Sequence, residues 1–239
     1  MPLILSIDTS TTVCSVALHQ GDGLQTVRLL SCYELFAEKS SSGMLTTLIR
    51  DAVRQAGHQL TELDAVAVAK GPGSYTGLRI GVSTAKGLCF ALDKPLLAVN
   101  TLEAMAEQVR PFYESGTAES PALCPMIDAR RMEVYCAAYD PEGAELMPTT
   151  ALVVDETSFP DLLSRGPVVF FGNGAAKCRA VLAHQPNAVF IDEVIHPSAR
   201  TVGRRAAAAF EAGRFEDVAA FEPFYLKDFQ GTKPKKLVV

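Results

Sequence analysis

The chain has 239 residues, of which 48% are apolar and 21% charged, with 22 Lys and Arg against 27 Asp and Glu and a formal net charge of −5. That length and apolar fraction allow one or two packed domains, and the acidic balance argues against this chain alone gripping a polyanion such as RNA through counterion release. Six cysteines without a C-x-x-C pair read as small core residues in a reducing compartment, and no apolar run approaches the roughly 18 residues of a membrane span. Secretion and membrane insertion are disfavoured, and a cytoplasmic location is expected.

Taken in chain order, Leu3 to Ile7 reads as a strand buried on both faces that ends at Asp8. A hydroxyl-rich turn, Thr9-Ser10-Thr11-Thr12, leads to a second strand, Val13 to Leu18, and Gly21-Asp22-Gly23 turns the chain into an antiparallel third strand, Leu24 to Leu30. Hydroxyls and amides in such a turn can hold a metal-bound phosphate; equally, they cap their own backbone in an ordinary hairpin. After Ser40-Ser41-Ser42, the residues Met44, Leu45, Leu48, Ile49, Ala52, Val53 and Ala56 form one stripe of an amphipathic helix that Gly57 stops.

Ala65 to Ala69 is a continuous apolar strand, and Gly71-Pro72-Gly73 follows it as a sharp turn with exposed amides. The helix from Thr76 to Leu92 carries a small-residue ridge, Gly77, Gly81 and Ala85, beside a bulkier stripe of Leu78, Val82, Ala85, Cys89 and Leu92. Only Arg79, Ser83 and Lys86 give it a polar edge. Glycine inside a helix costs about 1 kcal/mol against alanine, so the ridge needs a packing reason. That reason is either the core of a monomer or a partner protein. A two-helix layer on one sheet face is expected to leave apolar surface uncovered, which makes Met44, Leu45, Leu48, Ile49, Ala52, Gly77, Gly81 and Ala85 the expected partner surface.

A short helix from Leu102 to Val109 precedes a Pro- and Gly-containing boundary, Arg110 to Pro121. Beyond it the layout repeats. Ala122 to Ile127 is a strand ending at Asp128, Glu133 to Tyr139 follows, and Pro141-Glu142-Gly143 is the matching turn; Asp8 and Asp128, Ala17 and Ala137, and Gly23 and Gly143 share one spacing of 120 residues. Val168 to Phe171, Gly172-Asn173-Gly174 and a helix from Ala175 to His184 then parallel Ala65 to Ala69, Gly71-Pro72-Gly73 and the helix after it. An internal duplication of an α/β lobe is expected, with a ligand cleft between the copies. A last helix spans Thr201 to Ala212, and Pro223-Phe224-Tyr225-Leu226 reads as a terminal strand or docking segment. The division is residues 1–110 as the first lobe, with about 214–230 returning to it, 111–213 as the second, and 231–239 as a flexible tail. The tail carries Lys233, Lys235 and Lys236, as a solvated end or an RNA contact.

The run GPGSYTGLRIG from Gly71, the opening LILSIDTSTTVCSVAL, the IDAR of Ile127 to Arg130 and the closing EPFYL resemble the bacterial TsaB family, also called YeaZ, over nearly the whole chain. The glycine-rich run is specific to that family, whereas Asp-Thr-Ser at a strand end is shared with actin-like, sugar-kinase-like and Hsp70-like folds. The resemblance implies a two-lobed actin-like fold and a role in making threonylcarbamoyladenosine at position 37 of ANN-decoding tRNAs. It implies a non-catalytic subunit that forms a heterodimer with the catalytic paralogue TsaD, works with the ATPase TsaE, needs no cofactor of its own, forms a homodimer when alone and meets tRNA only indirectly. Asp8, Thr9, Ser10, Asp128, Gly172 and Gly174 are then the remnants of a nucleotide site.

The residues themselves bear on the non-catalytic expectation. The catalytic relative holds a metal with two histidines one helical turn apart, and the four histidines here, His19, His58, His184 and His196, form no such pair. The corresponding stretch is Ser40-Ser41-Ser42-Gly43-Met44, which also lacks the single histidine that many TsaB members keep. No Walker A motif, G-x-S-x-G elbow or Cys-His nucleophile spacing is present. The alternative is an ATP-dependent phosphotransferase or transferase using its own interlobe cleft, with Asp8 and Asp128 on facing hairpins.

Overall fold

The computed structural model describes residues 1–21, 23, 24, 26–37, 41–113 and 120–227. Ser40 and the basic tail 231–239 lie outside the described residues. Five strands, β1 (Leu3–Asp8), β2 (Cys14–Gln20), β3 (Arg28–Leu35), β4 (Ala65–Gly71) and β5 (Leu96–Asn100), make a first sheet of order β3-β2-β1-β4-β5. Five more, β6 (Ala122–Asp128), β7 (Glu133–Tyr139), β8 (Glu145–Val153), β9 (Val168–Phe171) and β10 (Ala188–Phe190), make a second of order β10-β9-β6-β7-β8. Read from the other edge, the second order is the first, and the directions match: β1 and β6 are parallel to β4 and β9 and antiparallel to β2 and β7. The chain is a duplicated, two-lobed actin-like α/β fold.

Period-two alternation explains how β1 serves two layers at once. Leu3, Leu5 and Ile7 join a core with α1 (Ser41–Gln55) and α2 (Tyr75–Leu92), while Ile4 points to the opposite layer. Local chemistry sets the helix ends. Ser74 caps α2 by accepting from the Gly77 amide at 3.3 Å, and Gly57, at φ +82°, ends α1 with His58 N donating to Val53 O at 3.1 Å.

The third helix, α3 (Thr101–Val109), follows the first sheet in sequence but packs on β6 and β7, where Leu102, Met105 and Ala106 meet Leu123, Ile127 and Ala137. The last, α6 (Ala199–Glu211), follows the second sheet but packs on the first, with Val202, Ala206 and Ala207 against Ile4, Ala65 and Ala67. By packing, residues 199–211 therefore cover the first sheet, although their place in the sequence puts them after the second. The remaining helices, α4 (Pro160–Arg165) and α5 (Ala175–Leu182), close the outer face of the second sheet.

One local expectation is corrected, one strand is added and one alternative is decided. The third strand begins at Arg28 rather than Leu24, because Val27 N donates to Gly23 O at 2.9 Å and that turn keeps the chain off the sheet. The strand β8 has no clear burial alternation and contains Pro148, which is how an edge strand escapes a periodicity search. Pro223 to Leu226 is a docking segment and not a strand: Phe224 N donates to Lys70 O at 2.7 Å, and Tyr225 stacks on Tyr75 at 4.8 Å between ring centroids.

Candidate functional site

The two hairpin turns lie at the ends of β1 and β6, the central strands of their sheets, and their chemistry differs. Asp8 is 1% exposed, and its Oδ1 accepts from the Ser10 amide at 2.9 Å and the Ser10 hydroxyl at 2.6 Å. Its Oδ2 has no hydrogen-bond partner among the described residues. Burial pushes this carboxyl up to about 6 against the pull of the Ser10 hydrogen bonds, and the Glu34 charge adds to the rise.

The glycine-rich run covers that turn. Ser74 N donates to Ser10 O at 2.6 Å, the Thr9 hydroxyl donates to Gly77 O at 2.7 Å, and a Cβ on Gly73 would sit 2.3 Å from Ser10 O. Gly77 and Gly81 are glycine for the same reason: their Cβ positions fall 2.0 Å from Thr9 O and 2.4 Å from Thr9 Oγ1. The Thr9 hydroxyl, the Ser10 amide and hydroxyl and the Ser74 amide are thus already paired within the chain.

The second turn is open. The side chain of Asp128 is 47% exposed; its Oδ1 accepts from Arg130 N at 2.8 Å and from Lys177 Nζ, and Asn173 Oδ1 accepts from Asp128 N at 2.9 Å. Burial pulls this carboxyl upward, but the Lys177 hydrogen bond, the Arg130 amide and the two cations outweigh it and hold it below the usual range. Gly172, at φ +98°, and Gly174 pack on the end of β6, with Gly174 N donating to Met126 O at 3.0 Å. Lys227 of the C-terminal segment reaches across to pair with Glu133 beside this turn.

Of the expected partner surface, most is core. Leu45, Ile49 and Ala52 are at most 3% exposed against β2 and β3, Ala85 is fully buried, and Gly77 and Gly81 face Thr9. The correction has a physical cause: a ridge of small residues lets a backbone approach, and here the backbone that approaches belongs to the β1–β2 turn. Met44, at 40% exposure, and half-buried Leu48 remain at the surface.

The open side of α2 instead presents Arg79, Ser83, Gly87 and Phe90, the last 86% exposed, and nothing lies within 4 Å of a Cβ placed on Gly87. These residues extend the polar edge read from Arg79, Ser83 and Lys86. An aromatic residue four positions past Lys86 on that edge was the legible signal for an exposed apolar anchor. Lys177, which holds Asp128 and also donates to Arg131 O and Glu133 O at 2.7 Å each, had no such signal.

Two matching actin-like lobes, a glycine run closed over the first strand-end turn and no histidine pair one helical turn apart define an actin-like protein whose first strand-end turn is covered by its own chain. Comparison with known proteins agrees. The family described as "TsaD: tRNA N6-adenosine threonylcarbamoyltransferase" matches residues 35–239. The Escherichia coli (strain K12) tRNA threonylcarbamoyladenosine biosynthesis protein TsaB is 31% identical over 230 residues, covering 94% of each chain. The solved structure of YeaZ from Pseudomonas aeruginosa superposes with a TM-score of 0.76 at 29% identity, over 95% of this chain and 100% of that one. A tRNA N6-adenosine threonylcarbamoyltransferase of Koribacter versatilis is 38% identical over 96 residues, 39% of this chain and 25% of that protein. The chain belongs to the TsaB (YeaZ) family of tRNA threonylcarbamoyladenosine biosynthesis proteins.

Proposed function

We propose that this chain serves tRNA threonylcarbamoyladenosine formation as a non-catalytic subunit, binding the catalytic paralogue TsaD and working with the ATPase TsaE in the cytoplasm. The observation that carries the non-catalytic reading is the closed β1–β2 turn. Asp8 is buried, its Oδ1 is held by Ser10, and the loop from Gly73 to Ser74 lies where a phosphate would have to approach. In the second lobe Asp128 Oδ1 and the amides of Asp128 and Gly174 are taken by Lys177, Arg130, Asn173 and Met126. The interlobe phosphotransferase alternative needs both turns free.

The partner surface is the exposed side of α1 and α2, centred on Phe90 with Gly87, Ser83 and Met44. An exposed helical glycine costs about 1 kcal/mol against alanine without an intrachain contact to offset it, and an almost fully exposed phenylalanine beside it has the size and chemistry of an interface anchor. The same surface makes the homodimer when TsaD is absent.

The test is co-expression with TsaD and TsaE, followed by size exclusion and a tRNA modification assay. Phe90→Arg is expected to abolish co-elution with TsaD and modification while leaving the urea midpoint of the isolated chain unchanged. Full complex formation by that variant removes this surface from the reading. Modification by the chain without TsaD, or micromolar ATP binding by the chain alone, overturns the non-catalytic role.

A further inference from the structure

The tip of the second turn carries cations that the first turn lacks. At the spacing of 120 residues that relates the two copies, Ser10, Thr11 and Thr12 correspond to Arg130, Arg131 and Met132. Ser10 is buried under the glycine loop, whereas Arg130 and Arg131 are exposed. Their backbones are left-handed, at φ +71° and +51°, a conformation that residues with a Cβ resist. No other two consecutive non-glycine residues adopt it among the described residues. Glycine would sit there without strain, so arginine at both positions points to a use for the side chains.

The carboxylates around the tip are already engaged. Asp128 is held by Lys177 and Glu133 by Lys227, and Asp155 Oδ1 accepts from the Thr157 amide at 2.9 Å and its hydroxyl at 2.8 Å. Lys177 also donates to Arg131 O at 2.7 Å, which fixes a further cation at the turn. Neither Arg130 nor Arg131 makes a side-chain ion pair among the described residues. The cations continue toward α2. The segment that ends in Lys227 stacks Tyr225 on Tyr75, and the Arg79 guanidinium lies 4.8 Å from the Tyr75 ring centroid. A basic edge of Arg79, Lys227, Arg130 and Arg131 thus runs from the start of α2 to the second turn, on a chain whose formal net charge is −5.

Guanidinium forks fit pairs of phosphate oxygens. Contacts of that kind to a nucleic-acid backbone need no apolar anchor. A protein interface centres on buried aromatic side chains, and the tip offers only Met132, at 36% exposure. The family is one of tRNA threonylcarbamoyladenosine biosynthesis proteins, which makes a tRNA the nucleic acid at hand.

We propose that Arg130 and Arg131 contact backbone phosphates of the tRNA while the chain is bound to TsaD. This rests on the reading that the chain works beside TsaD, since so few cations on an acidic chain do not hold a polyanion tightly by themselves.

Filter binding of tRNA to the TsaD complex, from about 50 to 200 mM salt, tests the contact, and size exclusion of the same preparation first shows whether the complex forms. Arg130→Gln/Arg131→Gln is expected to leave assembly intact and to weaken tRNA binding about tenfold at the low-salt end. It should also make the slope of log K against log salt shallower by about 1.5 to 2. Arg130→Gly/Arg131→Gly is expected to weaken tRNA binding equally without lowering the urea midpoint of the chain, because glycine relieves the left-handed backbone. Arg165→Gln, which removes an exposed cation on α4, is expected to leave tRNA binding unchanged. An unchanged salt slope in both double variants overturns the proposal. So does a lower midpoint with tRNA binding retained, which assigns the arginines to the fold, or lost assembly in place of lost tRNA binding, which assigns them to a protein contact. Should the wild-type chain fail to assemble with TsaD, the functional reading falls and the contact is read on the chain alone. Added tRNA at low ionic strength is then expected to shift the amide NMR signals of residues 129–133 in the wild type and not in the glutamine variant, and the absence of such shifts overturns the contact as well.

Discussion

The β1–β2 and β6–β7 turns are copies of one another, and each places an aspartate at the end of the central strand of its sheet, yet the two carboxyls are driven in opposite directions. Asp8 is sealed under the glycine loop and rises to about 6; Asp128 is open to solvent and falls under Lys177 and Arg130. What differs is the loop after the parallel strand. Gly73 comes close enough to Ser10 that no Cβ fits, and Ser74 bonds to it, whereas Gly174 leaves 3.0 Å at its nearest contact and Asn173 supplies a side-chain oxygen. A strand-end aspartate is therefore a position that the fold supplies, and the neighbouring loop decides whether it can meet a ligand.

The comparison breaks most sharply at the glycines. Gly73→Ala forces its Cβ onto a backbone oxygen that cannot rotate away, and urea denaturation is expected to show a loss of about 3 kcal/mol or more; Gly174→Ala, with less overlap, should cost about 1 kcal/mol. Equal losses would mean that the first turn is no more tightly covered than the second.

Next comes pH. A folded-state carboxyl raised from 3.8 to about 6 adds stability below pH 3.8 that disappears as pH climbs through 6. Relative to Asp8→Asn, the wild type is expected to lose about 2 to 3 kcal/mol between pH 4 and pH 7. Asp128 has the opposite sign: its contribution is present above the ordinary carboxylate range and is lost as pH falls below it, by under about 1 kcal/mol because its side chain is half exposed. Parallel pH profiles for the two Asn variants would remove the distinction.

The smallest effect separates the two sides of α2. Gly87→Ala meets nothing within 4 Å and should raise the stability of the isolated chain by about 0.5 to 1 kcal/mol. A loss instead would mean that Gly87, like Gly77 and Gly81, has a contact inside the fold.

Much of this was readable because it is local. Apolar runs ending in Asp8 and Asp128 mark buried strands, the 120-residue spacing exposes the duplication, and Gly57 and Ser74 act on their own helix ends. The glycine ridge of α2 shows the limit. Spacing of four says that a backbone comes close to Gly77 and Gly81 but not whose backbone it is, and the answer was Thr9, some seventy positions earlier in the chain.

The amino-acid sequence by itself determined most strands and helices of both lobes, though not β5, β8, β10 or α4, together with the two strand-end aspartates, the missing histidine pair and the family, since each rests on residue type, periodicity or spacing within a short window. Only the tertiary structure decided that α3 and α6 each cover the other copy's sheet, that the first turn is closed and the second open, and that Phe90 rather than Gly81 lies at the surface. It also brought Lys177 and Lys227 to the second turn from segments far apart in the chain. Burial depends on which surfaces the chain brings together, and that is a property of long-range packing that no local pattern encodes.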